Sequence, residues 1–505
     1  MPSGIHHVTA ITADVQANVD FYAGFLGLRL VKQTGGFADA EQLHLFYGDG
    51  LGSPGSLLSF LVWQASGRGR TGIGQVGEVA LAVPPASIGD WLTRALSARI
   101  PVEGPAREFG EPVLRLKDPD GMIVKLVGAE MQTPAPLPDA PTRLRGVTLL
   151  TDKAEESADF IMQFGYRPGP QAGQVRRLIS DTDIVDLRAV AGYVPSVPGA
   201  GVPAHVAFRA SDAEAVHRMR QALAAHGPTE VHDRKYFLSL YARDPAGILV
   251  EFATDAPGMT VDEAPEDLGR TLFVPPGDTA RADDLRALLP QFARPGEERF
   301  PMRDLPFIHR FNRPENPDGT TLILLHGTGG DEADLMPLAR RIAPHAVLLG
   351  VRSRSTEEGI NRWFRRLNAV TYDQPDLRAE AEAFAAFIED ATAAYGLDPD
   401  RLAFLGYSNG ANLLGAVMQL HPGRVRRAVL MRGLQALEAP PSPDLSGTEV
   451  LLLTGEADPF GRMAPALRQA LEADGATVEW HDLPAGHGLS AADSALAAEW
   501  LGKVF

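Results

Sequence analysis

The sequence predicts a chain in two parts, an α+β first half made of four βαβββ modules and an α/β second half. Three observations lead to this fold class. A length of 505 residues is too great for one hydrophobic core and favours three or four domain-sized units. One strand, one amphipathic helix and further strands recur at a period of roughly 60–70 residues, which indicates duplicated modules. After about residue 302, short apolar runs lead into glycine-rich turns, as buried strands of an α/β sheet do.

Composition excludes several kinds of function. The 47 Lys and Arg residues against 64 Asp and Glu give a net charge of −17, which argues against binding nucleic acid or an anionic membrane through bulk charge. The chain has no cysteine, so disulfides, thiolate nucleophiles and cysteine metal sites are excluded. The first residues do not resemble a signal peptide, and no apolar run is long enough to span a bilayer. We therefore expect a cytoplasmic protein.

The first two modules have the same order of segments. In the first module we predict a strand at 4–12, a helix at 15–26 and strands at 28–32, 42–47 and 56–63. In the second we predict a first strand from residue 77, a helix at 88–97 and strands at 113–117 and 122–127. A turn with the sequence DPDG separates the last two strands of the second module.

The third and fourth modules repeat this order. In the third we predict a strand from about residue 144, a helix at 154–164 and strands at 175–179 and 184–190. In the fourth we predict a strand from residue 202, a helix at 213–226 and strands at 236–242 and 248–253. The turn DPAG of the fourth module is nearly the DPDG of the second, and four such copies predict two barrel-like halves.

The first strands of the four modules differ in side chains that could bind a metal. The first module offers His6 and His7, and the fourth offers His205. The aligned places in the second and third modules fall on Val79 or its neighbour and on Gly146. Since imidazole is a common ligand of transition metals, only the first and fourth modules offer such a ligand on this strand.

The last strands differ in the same way. The fourth module carries Glu251 in GILVEFATD, where the second carries Lys125 in GMIVKLVG. A glutamate in a buried strand needs a partner, because burying an unpaired charge is costly. Two imidazoles and one carboxylate form the ligand set of the non-haem Fe(II) oxygenases. The repeat alignment therefore predicts one divalent metal site.

Residues 1–275 resemble the vicinal-oxygen-chelate superfamily, and within it the ring-cleaving hydroquinone dioxygenases. The blocks that carry the resemblance are GIHHVTAIT, NVDFYAGFLGLRLVKQT, HLFYGD, DRKYFLSLYARDPAGILVEFATD and LFVPP. The resemblance implies a two-barrel fold and metal ligands at His7, His205 and Glu251. It favours Fe(II) as the cofactor and leaves Mn and Zn open. His44, in QLHLFYG, is interpreted as a barrel-lining or core residue.

The same resemblance implies further catalytic groups at His6, Arg234 and Tyr241. An aromatic diol must lose a proton to bind iron, so a neutral His6 can serve as the base. Arg234 can hold a phenolate or carboxylate with paired donors, and Tyr241 can donate a hydrogen bond to the second hydroxyl. Packing roles for these three residues remain open at this point.

The second half contains the motif of a nucleophile elbow. In RLAFLGYSNGANLL a strand-like run leads into G-x-S-x-G and then a helix, which places Ser408 at the turn. Upstream, HGTGG follows an apolar run as an oxyanion loop does. Downstream, two more strand-like runs lead to Asp458 and to His487. The order Ser, Asp, His is that of an α/β-hydrolase triad.

From about residue 302 the chain resembles the phospholipase/carboxylesterase branch of the α/β-hydrolases. The matching blocks are LILLHGTGGDEADL, INRWFRR, FLGYSNGANL, LTGEADPF and PAGHGL. The resemblance implies hydrolysis of carboxylic esters or thioesters, with oxyanion donors in the backbone N–H groups of Thr328 and Asn409. His487 would activate Ser408, and Asp458 would hold the tautomer of His487.

These observations give predicted domain ranges and a function. We expect modules one and two at 1–130, modules three and four at 140–256, a tail and linker at 257–300 and the hydrolase at 301–505. The predicted protein is a bifunctional enzyme in which an Fe(II) dioxygenase opens a hydroquinone- or catechol-like ring with O₂ and a serine carboxylesterase cleaves an ester or acyl substrate.

Two other functions remain open on sequence alone. One is a glyoxalase-like metal-dependent isomerase fused to a thioesterase, and the other is a metal-free aromatic-binding resistance module fused to an esterase. The sequence also leaves open the substituents of the substrates, the native metal, a common pathway for the two halves, and the oligomeric state, a homo-oligomer included.

Overall fold

The computed structural model of the protein describes residues 3–64, 66–190, 192 and 194–505. Its contacts divide the chain into two units, Met1–Ala280 with Leu289–Arg299, and Arg281–Leu288 with Phe300–Phe505. The predicted linker 257–300 is therefore not one segment. Residues 281–288 belong to the second unit because the helix Ala282–Leu288 buries Leu285 and Ala287 there.

All four predicted βαβββ modules form in the first unit. The first contains β1 Ile5–Thr12, α1 Val15–Val19, β2 Arg29–Gly35, β3 Leu43–Gly48 and β4 Leu57–Val62. The second contains β5 Gln75–Val83, α2 Ile88–Ser97, β6 Val102–Glu108, β7 Glu111–Lys117 and β8 Ile123–Gly128. The third contains β9 Leu144–Thr151, α3 Ala154–Met162, β10 Arg167–Ala172, β11 Val175–Ile179 and β12 Ile184–Ala189. The fourth contains β13 Pro203–Ala210, α4 Ala213–Ala222, β14 His232–Asp233, β15 Phe237–Arg243 and β16 Leu249–Pro257, and β17 Leu272–Phe273 follows.

The modules combine into two sheets of two modules each. In both sheets the two modules meet at their first strands, although one pair is distant in sequence and the other is adjacent. One sheet has the order β14-β15-β16-β13-β1-β4-β3-β2-β17 and unites the fourth module with the first. The other has the order β10-β11-β12-β9-β5-β8-β7-β6 and unites the third with the second. The ranges 1–130 and 140–256 therefore each contribute to both sheets. The reason is that β1 pairs antiparallel with β13, and β5 with β9.

The predictions missed the edge strands and part of one helix. Residues of β6 and β10 are mostly exposed, and β14 is only two residues long, so none of them shows the alternation of apolar residues that indicates a strand. The helix predicted at 15–26 is an α-helix only through Val19 and continues as a π-helix over Asp20–Phe25. Short 3₁₀ turns occur at Pro85–Ser87, Ala224–His226, Pro265–Asp267, Pro276–Arg281, Pro399–Arg401 and Gly461–Met463.

The second unit is an α/β fold with a mostly parallel sheet. Its elements are α5 Ala282–Leu288, β18 His309–Asn312, β19 Thr321–Leu325, α6 Met336–Ile342, β20 Val347–Val351, β21 Ser355–Glu357, β22 Ile360–Arg362, α7 Gln374–Tyr395, β23 Leu402–Tyr407, α8 Asn409–Leu420, β24 Arg427–Met431, β25 Glu449–Gly455, α9 Ala464–Ala473, β26 Thr477–Leu483 and α10 Ala491–Val504. The sheet order is β18-β20-β19-β23-β24-β25-β26, with only β18 antiparallel to its neighbour.

Helices cover both faces of this sheet. One apolar cluster joins the sheet to α7, α8 and α9, and another joins it to α5, α6 and α10. Because the strands are parallel, the carboxyl ends of β19, β23, β25 and β26 lie at one edge, where the oxyanion loop, the serine, the aspartate and the histidine follow. No helix in the described ranges has the length and apolar character needed to cross a membrane.

Candidate active sites

Three side chains with the chemistry to hold a metal ion meet in the sheet of the first and fourth modules. One ligand atom from each of His7, His205 and Glu251 lies within 4.8 Å of the others. They come from neighbouring strands, because β1 pairs with β13 and β13 pairs with β16. Oε2 of Glu251 lies 3.2 Å from Nε2 of His7 and 2.9 Å from Nε2 of His205.

The electrostatics of this cluster fit a divalent cation. Glu251 is 1% exposed, and neither of its carboxylate oxygens has a hydrogen-bond partner among the described residues, despite the short distances to the histidines. Burial raises the pKa of Glu251, but the two histidines outweigh burial and hold that pKa well below its usual value. Burial lowers the pKa of His205, which favours a neutral ring. A buried carboxylate with no hydrogen-bond partner among the described residues needs a counter-charge, and a metal ion supplies one.

The structure places His6 behind His7. Nδ1 of His6 lies 2.9 Å from Nδ1 of His7, and the His6 ring packs edge-on against Phe237. Burial, aided by the charge of His7, lowers the pKa of His6 to about 3, so its ring is neutral. When a histidine binds metal through Nε2, its Nδ1 carries the proton and donates it to a neighbour. With a metal on Nε2 of His7, Nδ1 of His6 would be the acceptor that orients the His7 ring.

Arg234 and Tyr241, which the resemblance implied as further catalytic groups, lie close to this cluster. The Tyr241 ring meets the His205 ring edge-on at 5.5 Å. The guanidinium of Arg234 lies 5.6 Å from the centre of the Tyr241 ring and 5.5 Å from that of Phe37. Burial, reinforced by the charge of Glu251, raises the pKa of Tyr241, so its hydroxyl remains a hydrogen-bond donor.

The second unit positions Ser408 in a strained turn. Ser408 follows β23 with φ 50° and ψ −110°, outside the regions that L-residues favour, and α8 begins at the next residue. The two glycines of the motif allow the close approach that this turn needs. A Cβ at Gly410 would lie 2.3 Å from the carbonyl oxygen of Leu325, and one at Gly406 would lie 2.8 Å from the backbone of Ala411.

The predicted triad residues form a continuous chain of hydrogen bonds. Nε2 of His487 lies 2.9 Å from Oγ of Ser408, and Nδ1 of His487 lies 2.9 Å from Oδ2 of Asp458. The other carboxylate oxygen of Asp458 accepts from the Phe460 N–H at 2.9 Å. With the aspartate holding the proton on Nδ1, Nε2 can accept the serine proton.

Two polar neighbours of His487 take no part in this chain. Nε2 of His481 lies 2.9 Å from a carboxylate oxygen of Glu479, and Asp482 accepts from the Thr454 hydroxyl at 2.8 Å. The histidine in the PAGHG loop is therefore the one that meets the serine.

A cavity of about 250 Å³ opens beside Ser408, and Thr328 and Asn409 both line it. Asn409 is the first residue of α8, where backbone N–H groups have no partner within the helix. Such free donors are suited to an oxyanion.

The family model described as the Glyoxalase/Bleomycin resistance protein/Dioxygenase superfamily matches residues 4–126. MhqO of Bacillus subtilis (strain 168), named as a ring-cleaving dioxygenase, is 36% identical over 264 residues, which are 50% of this chain and 84% of MhqO. The chain belongs to this superfamily.

Two further relatives extend the comparison of this superfamily member. The chlorohydroquinone/hydroquinone 1,2-dioxygenase of Sphingobium indicum is 29% identical over 269 residues, 49% of this chain and 84% of the relative. MhqD of Bacillus subtilis (strain 168), named as a hydrolase, is 34% identical over 183 residues, 35% of this chain and 90% of MhqD. The predicted fusion of a dioxygenase-like part with a hydrolase-like part is therefore confirmed.

This superfamily member has a further histidine beside its metal-binding set. Nε2 of His44 lies 3.0 Å from the Ser59 hydroxyl, which lies 2.9 Å from the Thr9 hydroxyl. Burial, with the charge of His7 next, lowers the pKa of His44 to about 3. His44 is thus a polar residue lining the site, and only the alternation of β3 could have indicated which way it faces.

A buried arginine in the hydrolase unit was missed entirely. Arg432 donates to the carbonyls of Gly486 and Gly488 at 3.0 and 3.1 Å, on either side of His487. Its Nη1 also donates to Asp493 at 2.7 Å, and neither side chain of this pair is exposed. Arg432 and Asp493 fix the loop that carries the base, and their separation in sequence left no short motif to find.

Proposed function

We propose that the first unit is an Fe(II)-dependent dioxygenase that opens hydroquinone- or catechol-like rings, and that the second is a serine carboxylesterase. The observation that carries the first part is the buried Glu251 carboxylate, which has no hydrogen-bond partner among the described residues and faces two imidazoles. The name of the Sphingobium indicum relative supports an aromatic diol as the substrate.

His7, His205 and Glu251 would hold the metal through two nitrogens and one carboxylate oxygen. An Fe(II) ion held by these residues would supply the redox chemistry that activates O₂. Mn and Zn are the other candidates for this ligand set, and only iron and manganese among the three are redox-active.

The surrounding residues would bind and orient the diol. His6 would fix the ring of His7 through the Nδ1–Nδ1 hydrogen bond. We therefore assign His6 an orienting role in preference to the role of base that the sequence suggested. Arg234 carries a permanent positive charge that favours the ionised form of a bound phenol. Tyr241 stays protonated and can donate to the second oxygen of the diol.

In the second unit Ser408 would attack the carbonyl carbon of an ester while His487 takes the hydroxyl proton. Backbone N–H groups of Thr328 and Asn409 would stabilise the negative oxygen. His487 would then give the proton to the departing alcohol, which leaves an acyl-serine. Water, activated by the same histidine, would release the carboxylate and restore Ser408.

Each half can be tested with the other half as its control. The measurement is O₂ consumption by anaerobically Fe(II)-loaded protein with hydroquinone, catechol and methylhydroquinone, beside hydrolysis of p-nitrophenyl butyrate. Glu251→Ala should abolish O₂ uptake and leave ester cleavage intact, and Ser408→Ala should do the reverse. The dioxygenase assignment fails if iron-loaded protein consumes no O₂ with any of these diols. The hydrolase assignment fails if Ser408→Ala cleaves the ester as well as the wild type does.

A common pathway for the two reactions would be visible in the products. Diol and O₂ given to wild type and to Ser408→Ala would yield different end products by mass spectrometry if the second unit cleaves the ring-opened compound. Identical products from both proteins would mean that the two halves act on unrelated substrates.

A further inference from the structure

The cavity beside Ser408 is lined by positive charge in a protein whose net charge is −17. Its lining includes Arg362, Arg366 and Arg432, and none of the described lining residues carries a carboxylate. The charge of Arg432 is matched by Asp493, which leaves Arg362 and Arg366 facing the cavity.

Arg362 is buried without adequate partners. It is 3% exposed, and its Nε has no hydrogen-bond partner among the described residues. The carboxylate of Glu357 lies 3.6 Å from Nη1 of Arg362, beyond hydrogen-bond distance, and it is shared with the exposed Arg365 at 3.5 Å. A buried guanidinium that lacks hydrogen-bond acceptors destabilises the fold unless a ligand supplies them.

The backbone around Arg362 is fastened to the catalytic machinery. The preceding residue, Asn361, accepts from the Gly329 N–H in the oxyanion loop at 2.9 Å. The following residue, Trp363, donates its N–H to the side chain of Asn409 at 2.8 Å. Arg362 is therefore held at a fixed place relative to both predicted oxyanion donors, which bind the carbonyl oxygen of the acyl group.

We propose that Arg362 binds a carboxylate, so that the hydrolase takes esters whose acyl part carries a second, ionised carboxylate. This inference rests on the serine hydrolase function proposed above. The planar guanidinium matches the two oxygens of a carboxylate with parallel hydrogen bonds. A cavity of about 250 Å³ lies just below the range of about 300–1,000 Å³ that drug-sized ligands need, which suits a small dicarboxylic half-ester.

The test compares charged and neutral methyl esters by pH-stat titration of the full-length protein. The half-esters are monomethyl succinate, glutarate and adipate, and methyl pentanoate is the neutral partner. Arg362→Met should lower kcat/KM for the preferred half-ester by about 10- to 100-fold, since a buried hydrogen bond to a charged group is lost. The same variant should change kcat/KM for methyl pentanoate by less than about threefold.

Two matched variants sharpen the test. Arg362→Lys keeps the charge but lacks the planar fork, so its kcat/KM for the half-ester should fall between wild type and Arg362→Met. Arg365→Met removes a positive charge from an exposed side chain three residues after Arg362, and it should leave kcat/KM for both esters unchanged. If Arg362→Met does not fold, as judged by its melting temperature, the test uses the wild type alone. Glutarate should then inhibit hydrolysis of methyl pentanoate competitively, because its carboxylate would bind in the cavity.

The outcomes separate this inference from the function on which it rests. Cleavage of methyl pentanoate with no preference for half-esters, equal loss of both activities in Arg362→Met, or no inhibition by glutarate would overturn the carboxylate site alone. No cleavage of any ester, with Ser408→Ala equal to wild type, would overturn the hydrolase function and this inference with it.

Discussion

The two sheets of the first unit have the same plan but opposite chemistry at equivalent positions. In one sheet Glu251 pairs with the alanine two residues after His205, and in the other Lys125 pairs with the alanine two residues after Glu78. The residue facing this alanine across the central pair of strands is His7 in the first sheet and Gly146 in the second. The three positions that gather metal ligands in one sheet thus carry a glutamate, a lysine and a glycine in the other.

In the second sheet the charged side chains at these positions pair with other side chains of the same sheet. Nζ of Lys125 lies 3.3 Å from Oε2 of Glu78 and 3.0 Å from Oε2 of Glu108, and Arg115 donates to the other oxygen of Glu78 at 2.9 Å. At Gly146 a Cβ would lie 2.3 Å from a neighbouring carbonyl oxygen, so no ligand side chain can enter there. In the second sheet Lys125 pairs with Glu78, and we call this the closed site. In the first sheet the Glu251 carboxylate has no hydrogen-bond partner among the described residues, and we call this the open site.

Removing the carboxylate of the open site should have the largest effect. Glu251→Gln keeps the size of the side chain but removes the only negative charge among the three predicted metal ligands. Since loss of residues that merely orient metal ligands costs about 10- to 100-fold, loss of a ligand should lower O₂ uptake by at least about 100-fold. Bound iron, measured by elemental analysis after desalting, should fall with it.

The control for this prediction lies at the equivalent position of the closed site. Lys125→Met should leave bound iron and O₂ uptake within about twofold of wild type, because it is in the other sheet. Equal loss of iron in both variants would contradict the comparison, since it would show that the two sheets do not differ in metal binding.

Lys125→Met should instead lower stability, which is an effect of intermediate size. The substitution leaves Glu78 buried with Arg115 as its remaining strong partner. Loss of one hydrogen-bonding partner of a buried carboxylate lowers the free energy of unfolding by about 1–3 kcal/mol. Urea unfolding followed by circular dichroism should show a lower midpoint than wild type. An unchanged midpoint would mean that the ammonium contributes nothing to the closed site.

An effect of similar size is predicted for the dependence of stability on acid pH. Burial raises the pKa of Glu78, but Arg115 and Lys125 outweigh burial and lower that pKa from 4.5 to about 2. A carboxyl whose pKa is lower in the folded state stabilises the fold above its unfolded pKa and loses that contribution as pH falls. Between pH 4.5 and about 2 the stability of the wild type should therefore fall more steeply than that of Glu78→Gln. Parallel pH profiles of the urea midpoint would refute this.

The sequence was sufficient to predict a site where its catalytic residues directly follow strands. Ser408, Asp458 and His487 each lie in a short loop at the carboxyl end of a strand, so motif and order alone predicted that they would meet. The two-histidine, one-glutamate set depended on aligning repeats, and the central strands of the first sheet brought these residues together.

The sequence was insufficient where the result depends on strand register or on pairing between distant modules. Sequence alone does not decide between Val79 and its neighbour as the counterpart of His205. The structure identifies Glu78, because irregularities near Glu78 and Ala80 shift the pairing of β5 with β9. The pairing of the fourth module with the first could not be read from local patterns either. Arg432 and Asp493 form a buried ion pair across a long stretch of sequence, which periodicity cannot indicate.

The backbone of Ser408 also limits how the hydrolase can be improved. A residue other than glycine held at φ 50° and ψ −110° stores about 1–3 kcal/mol of strain, and Ser408→Gly would release much of it. The variant would lose the nucleophile while it gained stability. A laboratory selection for heat resistance alone would therefore reward the loss of catalysis at this position, and a selection that preserves catalysis must retain the strain.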